Sequence, residues 1–183
     1  MPVTTPKLRR AAGAMSDSPA DSALWQLIGD SREAVLATLG ADGAPQLSNV
    51  LYVFDPDARI VRISTTAGRV KARNARRDPR AALHVAGDNF WAYAVAEGSV
   101  TLSDVAQSPG DPATAELLAV HSSFYGPQQA DEFYASMIAD RRLVIRLHVQ
   151  HVYGLIASGG RRPVDAADSE NAAGSDASGG SRV

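Results

Sequence analysis

This 183-residue chain contains no cysteine. That one absence excludes disulfides, zinc–thiolate sites, iron–sulfur clusters and a cysteine nucleophile. Histidine is sparse, with four residues and none at metal-ligand spacing. His148 and His151 are three apart but belong to a strand-like run, so no metal site is expected. No apolar run approaches the ~18 residues that a membrane-spanning helix needs. The N-terminal stretch through Asp21 lacks the apolar centre of a signal peptide, so a cytoplasmic protein is expected. Internal repeats and a Rossmann glycine pattern are both missing. So are a Ser-His-Asp set and paired carboxylates. If the chain is an enzyme, a bound cofactor is expected to carry the chemistry. A net charge of −2 argues against a general nucleic-acid binder.

What is present is ordinary for a globular chain: 45% apolar and 21% charged residues. The length suits one domain with a real core. Residues 1–19 are rich in Pro, Ala, Ser and Thr, and residues 157–183 in Gly, Ser, Ala and Asp. Both ends are expected to be disordered, leaving one domain over 20–156. Leu24, Trp25, Leu27 and Ile28 have helical spacing, with Ser18 or Asp21 as a possible cap. Strands are expected at 34–39, 44–54, 59–65, 80–86, 90–102 and 142–156, joined mostly by short turns such as Asp42-Gly43. Gly98 is expected to mark a bulge. Two helices, 113–123 and 128–140, break at Gly126-Pro127. About six strands so connected favour a closed antiparallel sheet, because closure removes exposed edges.

The chain is organised around Ser64–Pro79. A strand ends in hydroxyls and a glycine, and a basic helical segment follows. Arg69, Lys71, Arg73, Arg76 and Arg77 fall within nine residues. A strand end leading into a helix N-terminus with cations is a place to hold an anion, most often a phosphate. At about 100° per residue, Arg69, Arg73 and Arg76 share one stripe, whereas Lys71 points away, close to Asn74. A solvated basic helix and a nucleic-acid patch are the other readings.

Gln46, Ser48 and Asn49 are polar residues in the middle of a strand, where asparagine is depleted. Ser48 and Asn49 point to opposite faces, so solvent exposure of one sheet face cannot account for both. One of the two is expected to meet a ligand or a partner chain. Trp91 and Tyr93 alternate on one strand face, as core residues or as the wall of a flat-ring pocket. His84, His148 and His151 read as structural histidines.

The order of these pieces resembles the split β-barrel flavin and deazaflavin oxidoreductases related to pyridoxamine 5′-phosphate oxidase. Its carriers are VLATLGADGAPQLSNVLYVFD (35–55), ISTTAGRVKARNARRDPRAAL (63–83), WAYAVAEGSVTL (91–102) and RRLVIRLHVQHVYG (141–154). Together, PQLSN and the S-x6-K-x2-N spacing are most similar to the actinobacterial branch that binds coenzyme F420. The fold so implied is mostly β with small helices, a split antiparallel β-barrel, working as a homodimer with its active sites at the interface. By the same resemblance Ser64, Arg69 and Lys71 hold the cofactor phosphate and Asn74 lies near that pocket. Gln46, Ser48 and Asn49 run along the deazaflavin and its linker. Trp91 and Tyr93 reach the cofactor from the second subunit. The implied reaction is hydride transfer from reduced F420 to a small conjugated acceptor. The proton donor is left open between Tyr93 and ordered water. FMN is the alternative cofactor, since it too presents a phosphate. A non-catalytic F420 carrier is the alternative role. Pyridoxamine 5′-phosphate oxidase activity itself is not expected, because the chain after Gly154 lacks the arginines and histidine which that reaction needs.

Overall fold

The computed structural model describes residues 19–126 and 129–156. Most of both expected disordered ends, the Ser18 cap and Pro127 lie outside the described residues. Four helices and seven strands follow in the order α1 (Pro19–Asp30), β1 (Glu33–Leu39), β2 (Pro45–Leu51), β3 (Val53–Asp55), β4 (Ile60–Thr66), α2 (Val70–Arg77), β5 (Arg80–Ala86), β6 (Tyr93–Leu102), α3 (Pro112–Tyr125), α4 (Ala130–Ala139) and β7 (Arg142–Leu155).

All pairings are antiparallel, in the spatial order β2-β1-β5-β6-β7-β4-β3. Two departures from the expected elements stand out. The run 44–54, expected as one strand, is two strands broken at Tyr52, and they lie at opposite edges of the sheet. One residue thus carries the main chain from one edge to the other, and the curled sheet becomes a split barrel. The run 90–102 begins its pairing only at Tyr93, so Phe90 and Trp91 sit in the preceding turn. The long last strand pairs with both β4 and β6, as its length allows. The expected bulge is present: the β6–β7 register shifts between Glu97 and Gly98. A Cβ on Gly98 would lie 1.9 Å from the His148 carbonyl oxygen, so only glycine fits.

Strand alternation fills the barrel with Leu36, Val61, Ile63, Leu83, Val85, Ile145 and Leu147. Leu24 and Ile28 of α1 and Ala75 of α2 join the same core. The opposite face of β4 and β7 is covered by α3 and α4, where Val144 packs with Ala106, Leu117, Phe133 and Met137. Ion pairs pin α3 there. Glu116 receives Arg146 at 2.5 Å and Arg62 at 3.3 Å, and Arg62 also reaches Asp55 at 3.0 Å. Asp111 caps α3 by accepting the Thr114, Gln107 and Ser108 N–H groups at 2.7, 2.9 and 3.0 Å. Those donors hold its carboxyl well below the usual carboxylate range.

Tyr52 is fully buried. Its N–H donates to the Arg32 carbonyl at 2.9 Å and its hydroxyl donates to the Ile28 carbonyl at 2.6 Å. Burial raises the phenol pKa, so the hydroxyl stays a donor. Tyr52→Phe leaves a buried carbonyl short of its partner and should lower stability by about 1–3 kcal/mol in urea unfolding. A loss below ~0.5 kcal/mol would show that packing alone holds this corner.

Candidate anion site and the polar row beside it

Helix α2 starts without help. Its N-cap is Arg69, no side chain caps it, and no acidic residue lies in its first turn. The first N–H groups of a helix have no internal partner and favour an anion. Arg69 is exposed and Lys71 half-buried, and no carboxylate pairs with either among the described residues. Burial, then the charge of Arg69, lowers the Lys71 pKa. A bound anion would oppose both effects.

The other cations of the helix are occupied. Arg73 donates to the Gly68 carbonyl. Arg76 donates to Ala67 O at 3.0 Å. Arg77 donates to Leu39 O at 2.5 Å and to Asn74 Oδ1 at 3.1 Å. Three of the five charges therefore brace the turn and strand β1, a contact that Arg69 and Lys71 do not make.

Asn74 is buried on the inner side of α2, and its amide donates to Thr38 Oγ1 at 3.1 Å. Thr38 lies on β1 opposite Gln46 of β2, and Thr38 Oγ1 donates to Gln46 Oε1 at 3.1 Å. Gln46 Nε2 donates to Ser48 Oγ at 2.8 Å and to Leu47 O at 2.6 Å. Asn74, Gln46 and Ser48 are thus joined through Thr38 into one polar row. Thr38 was missed, because a threonine in a strand carries no signal of its own.

Other expected site residues lie elsewhere. Ser64 does not bond Arg69 or Lys71. Its neighbours Ile63 and Thr65 are buried, and alternation turns Ser64 toward α3. There its hydroxyl accepts from Arg142 Nη1 at 3.0 Å and lies 3.2 Å from His121 Nε2. Burial, and then the Arg142 charge, lowers the His121 pKa. Of the expected set Ser64, Arg69 and Lys71, the last two lie at the start of α2, and Ser64 bonds elsewhere.

Asn49 is exposed on the outer sheet face, in the row Asn49–Val35–His84–Val95–Tyr153 that crosses five strands. Tyr93 is on that face and stacks on His84 at 5.7 Å. Trp91 does not alternate with it on a strand. It lies half-exposed in the β5–β6 turn, edge-on to Phe90 at 5.1 Å. The expected cofactor set is therefore divided by the sheet into an inner row and an outer face. No group of His, Asp or Glu suited to a metal occurs among the described residues. No helix among them is long and apolar enough to cross a membrane.

The curled antiparallel sheet with its small helices defines a split β-barrel. The chain belongs to the pyridoxamine 5′-phosphate oxidase family, which it matches over residues 20–156. It is 31% identical over 121 residues to an F420H(2)-dependent biliverdin reductase of Mycobacterium tuberculosis, covering 66% of this chain and 77% of that protein. Among solved structures it is similar to an F420 reductase, with a TM-score of 0.53, 26% identity, and coverage of 70% of this chain and 94% of the other. The fold is shared with a conserved hypothetical protein of M. tuberculosis, with a TM-score of 0.56, 23% identity, and coverage of 83% and 97%.

Lys71→Ala should weaken binding of a phosphate-bearing cofactor by roughly 10- to 150-fold, the worth of a charged hydrogen bond. Arg76→Ala removes only a turn contact and should leave the dissociation constant within about twofold. Equal losses in fluorescence titration would move the anion away from the Lys71 side of α2.

Proposed function

We propose that this protein is a coenzyme F420-binding oxidoreductase that passes a hydride from reduced deazaflavin to a small conjugated acceptor. The observation that carries the reading is the pair Arg69 and Lys71 at an uncapped helix N-terminus, without carboxylate partners among the described residues. That donor set fits a phosphate. The similarity to the F420H(2)-dependent biliverdin reductase and the F420 reductase favours F420 over FMN.

Arg69 and Lys71 take the phosphate, Gln46 and Ser48 lie toward the ring, and Asn74 is buried behind them, joined through Thr38. Bound reduced F420 supplies the hydride at its ring carbon C5. Tyr93 is the candidate phenol for holding a proton on the outer face. The chain orients the reactants and keeps water from them.

The same reading makes the protein a homodimer. The outer face carries a second five-strand row, Leu47–Ala37–Ala82–Glu97–His151, and Leu47 is 63% exposed. Leu47, Ala37 and Ala82 make this row mostly small and apolar, Val35 and Val95 add apolar surface to the other, and an open groove lies on part of each. A second copy would cover them and bring the Phe90–Trp91 turn toward its neighbour's site.

Titration with F420 and FMN in parallel tests the cofactor. F420 should bind at micromolar or tighter affinity and FMN more weakly, whereas a tenfold preference for FMN would overturn the reading. Reduced F420 should then be oxidised by at least one member of a panel of enones, quinones, nitroaromatics and tetrapyrroles. Binding without any turnover would make the protein a carrier. Light scattering should give about twice the 19.2 kDa chain mass, and Leu47→Asp should shift it toward monomer. A monomeric wild type would remove the dimer.

A further inference from the structure

We infer that Thr38 is a positioning residue that fixes the direction of a hydrogen-bond chain ending on Ser48, so that the site offers an O–H donor to an acceptor oxygen of its ligand. This rests on the proposed cofactor site, but the direction of the chain follows from chemistry at its two ends. Arg77 is a guanidinium and can only donate, so the Asn74 atom 3.1 Å from it is the carbonyl oxygen. The other Asn74 atom is then the amide nitrogen, and it donates to Thr38 Oγ1. At the far end the Leu47 carbonyl can only accept, so the Gln46 atom 2.6 Å from it is nitrogen. Gln46 Oε1 therefore faces Thr38, whose single hydroxyl proton must go to it.

Both ends give the same direction: Arg77 to Asn74 to Thr38 to Gln46 to Ser48. Ser48 Oγ accepts from Gln46 at 2.8 Å, and its own proton points onward to an acceptor outside the chain. Thr38 and Asn74 are 2% and 4% exposed, so water does not readily scramble the buried half of the chain. Ser48 and Gln46 are half-exposed at the edge strand, where a ligand can reach them. Thr38 touches no ligand in this arrangement. It acts together with the Leu47 carbonyl in holding the Gln46 amide: the carbonyl takes the nitrogen and the Thr38 hydroxyl takes the oxygen. With the amide reversed, Ser48 would have to donate to Gln46 and would meet the ligand with lone pairs only.

Thr38→Val keeps the shape and removes the hydroxyl, whereas Thr38→Ser keeps it. F420 binding should weaken roughly 3- to 10-fold in Thr38→Val, the worth of one neutral hydrogen bond, and stay near wild type in Thr38→Ser. Because Thr38 acts through Ser48, Thr38→Val should add little to the loss in Ser48→Ala. Additive losses, or wild-type binding by Thr38→Val, would overturn the role. A readout free of cofactor separates this outcome from failure of the proposed function. In wild-type protein without ligand, the Gln46 side-chain amide protons should exchange with solvent more slowly than those of an unrestrained glutamine. That protection should fall in Thr38→Val, where the amide oxygen loses its partner while Leu47 O and Ser48 Oγ remain, and persist in Thr38→Ser. Free exchange in the wild type would refute the chain even if F420 binds. If neither F420 nor FMN binds, protected exchange that depends on Thr38 would still support the fixed direction. The wild-type measurement also stands if Thr38→Val does not fold.

Discussion

The fold depends on one corner. At Tyr52 the chain leaves one edge of the sheet and enters the other, without a hydrogen-bonded ladder between the two edges. Closure is by main-chain continuity rather than by strand pairing. A fully buried phenol must satisfy its hydroxyl, and the acceptor is a carbonyl of α1. The first helix, the seam and the core are thereby tied together. Because the seam is not laddered, β2 keeps a free edge. Its inner polar residues remain half-open beside α2, where a fully closed barrel would have filled them with apolar packing.

Much of this was legible in the sequence. Alternation located most of the strands, and Gly98 marked its bulge because a backbone approach that close admits only glycine. The break at Tyr52 was not legible. A run that alternates through Leu51, Tyr52 and Val53 looks the same whether it pairs with one neighbour or changes edges. Only the closure of the whole sheet decides that. Ser64 shows the same limit at the level of a side chain. Its position in a strand end beside a basic helix suggested a phosphate ligand, and the resemblance to known oxidoreductases implied one. Alternation sent it to the other face, which α3 covers with His121 and to which β7 brings Arg142. Sequence shows which residues share a face, but not what will cover it. The expected alternation of Trp91 with Tyr93 failed for a local reason: the turn after Ala86 extends further than Gly87-Asp88-Asn89 suggested, and pairing resumes only at Tyr93.

The cations of α2 were separated by reach. Arg73, Arg76 and Arg77 have forked, multi-donor ends long enough to find backbone carbonyls at 67, 68 and 39. Those contacts fix the helix against the turn before it and the strand behind it. Arg69 is at the N-cap, and Lys71 lies half-buried one turn before Asn74. Holding the helix rigid with three of its cations is what leaves the other two in a constant place. An anion meeting them loses less orientational freedom than it would against five mobile side chains.

Strand β2 links the two halves of the proposed active unit. Gln46 and Ser48 face the half-buried inner side, while Leu47 and Asn49 face the outer sheet. Adjacent residues on one short edge strand thus serve opposite sides. A displacement of β2 by a second copy on the outer face would move Ser48 relative to the buried Thr38 and Asn74. The hydrogen-bond chain resists such movement, because its inner end is anchored in the barrel and its outer end is the Leu47 main chain itself. The inner polar row and the outer face are therefore coupled through a single strand. The polar row is the element that keeps the register of that strand constant on the inner side while its other side is free to pack.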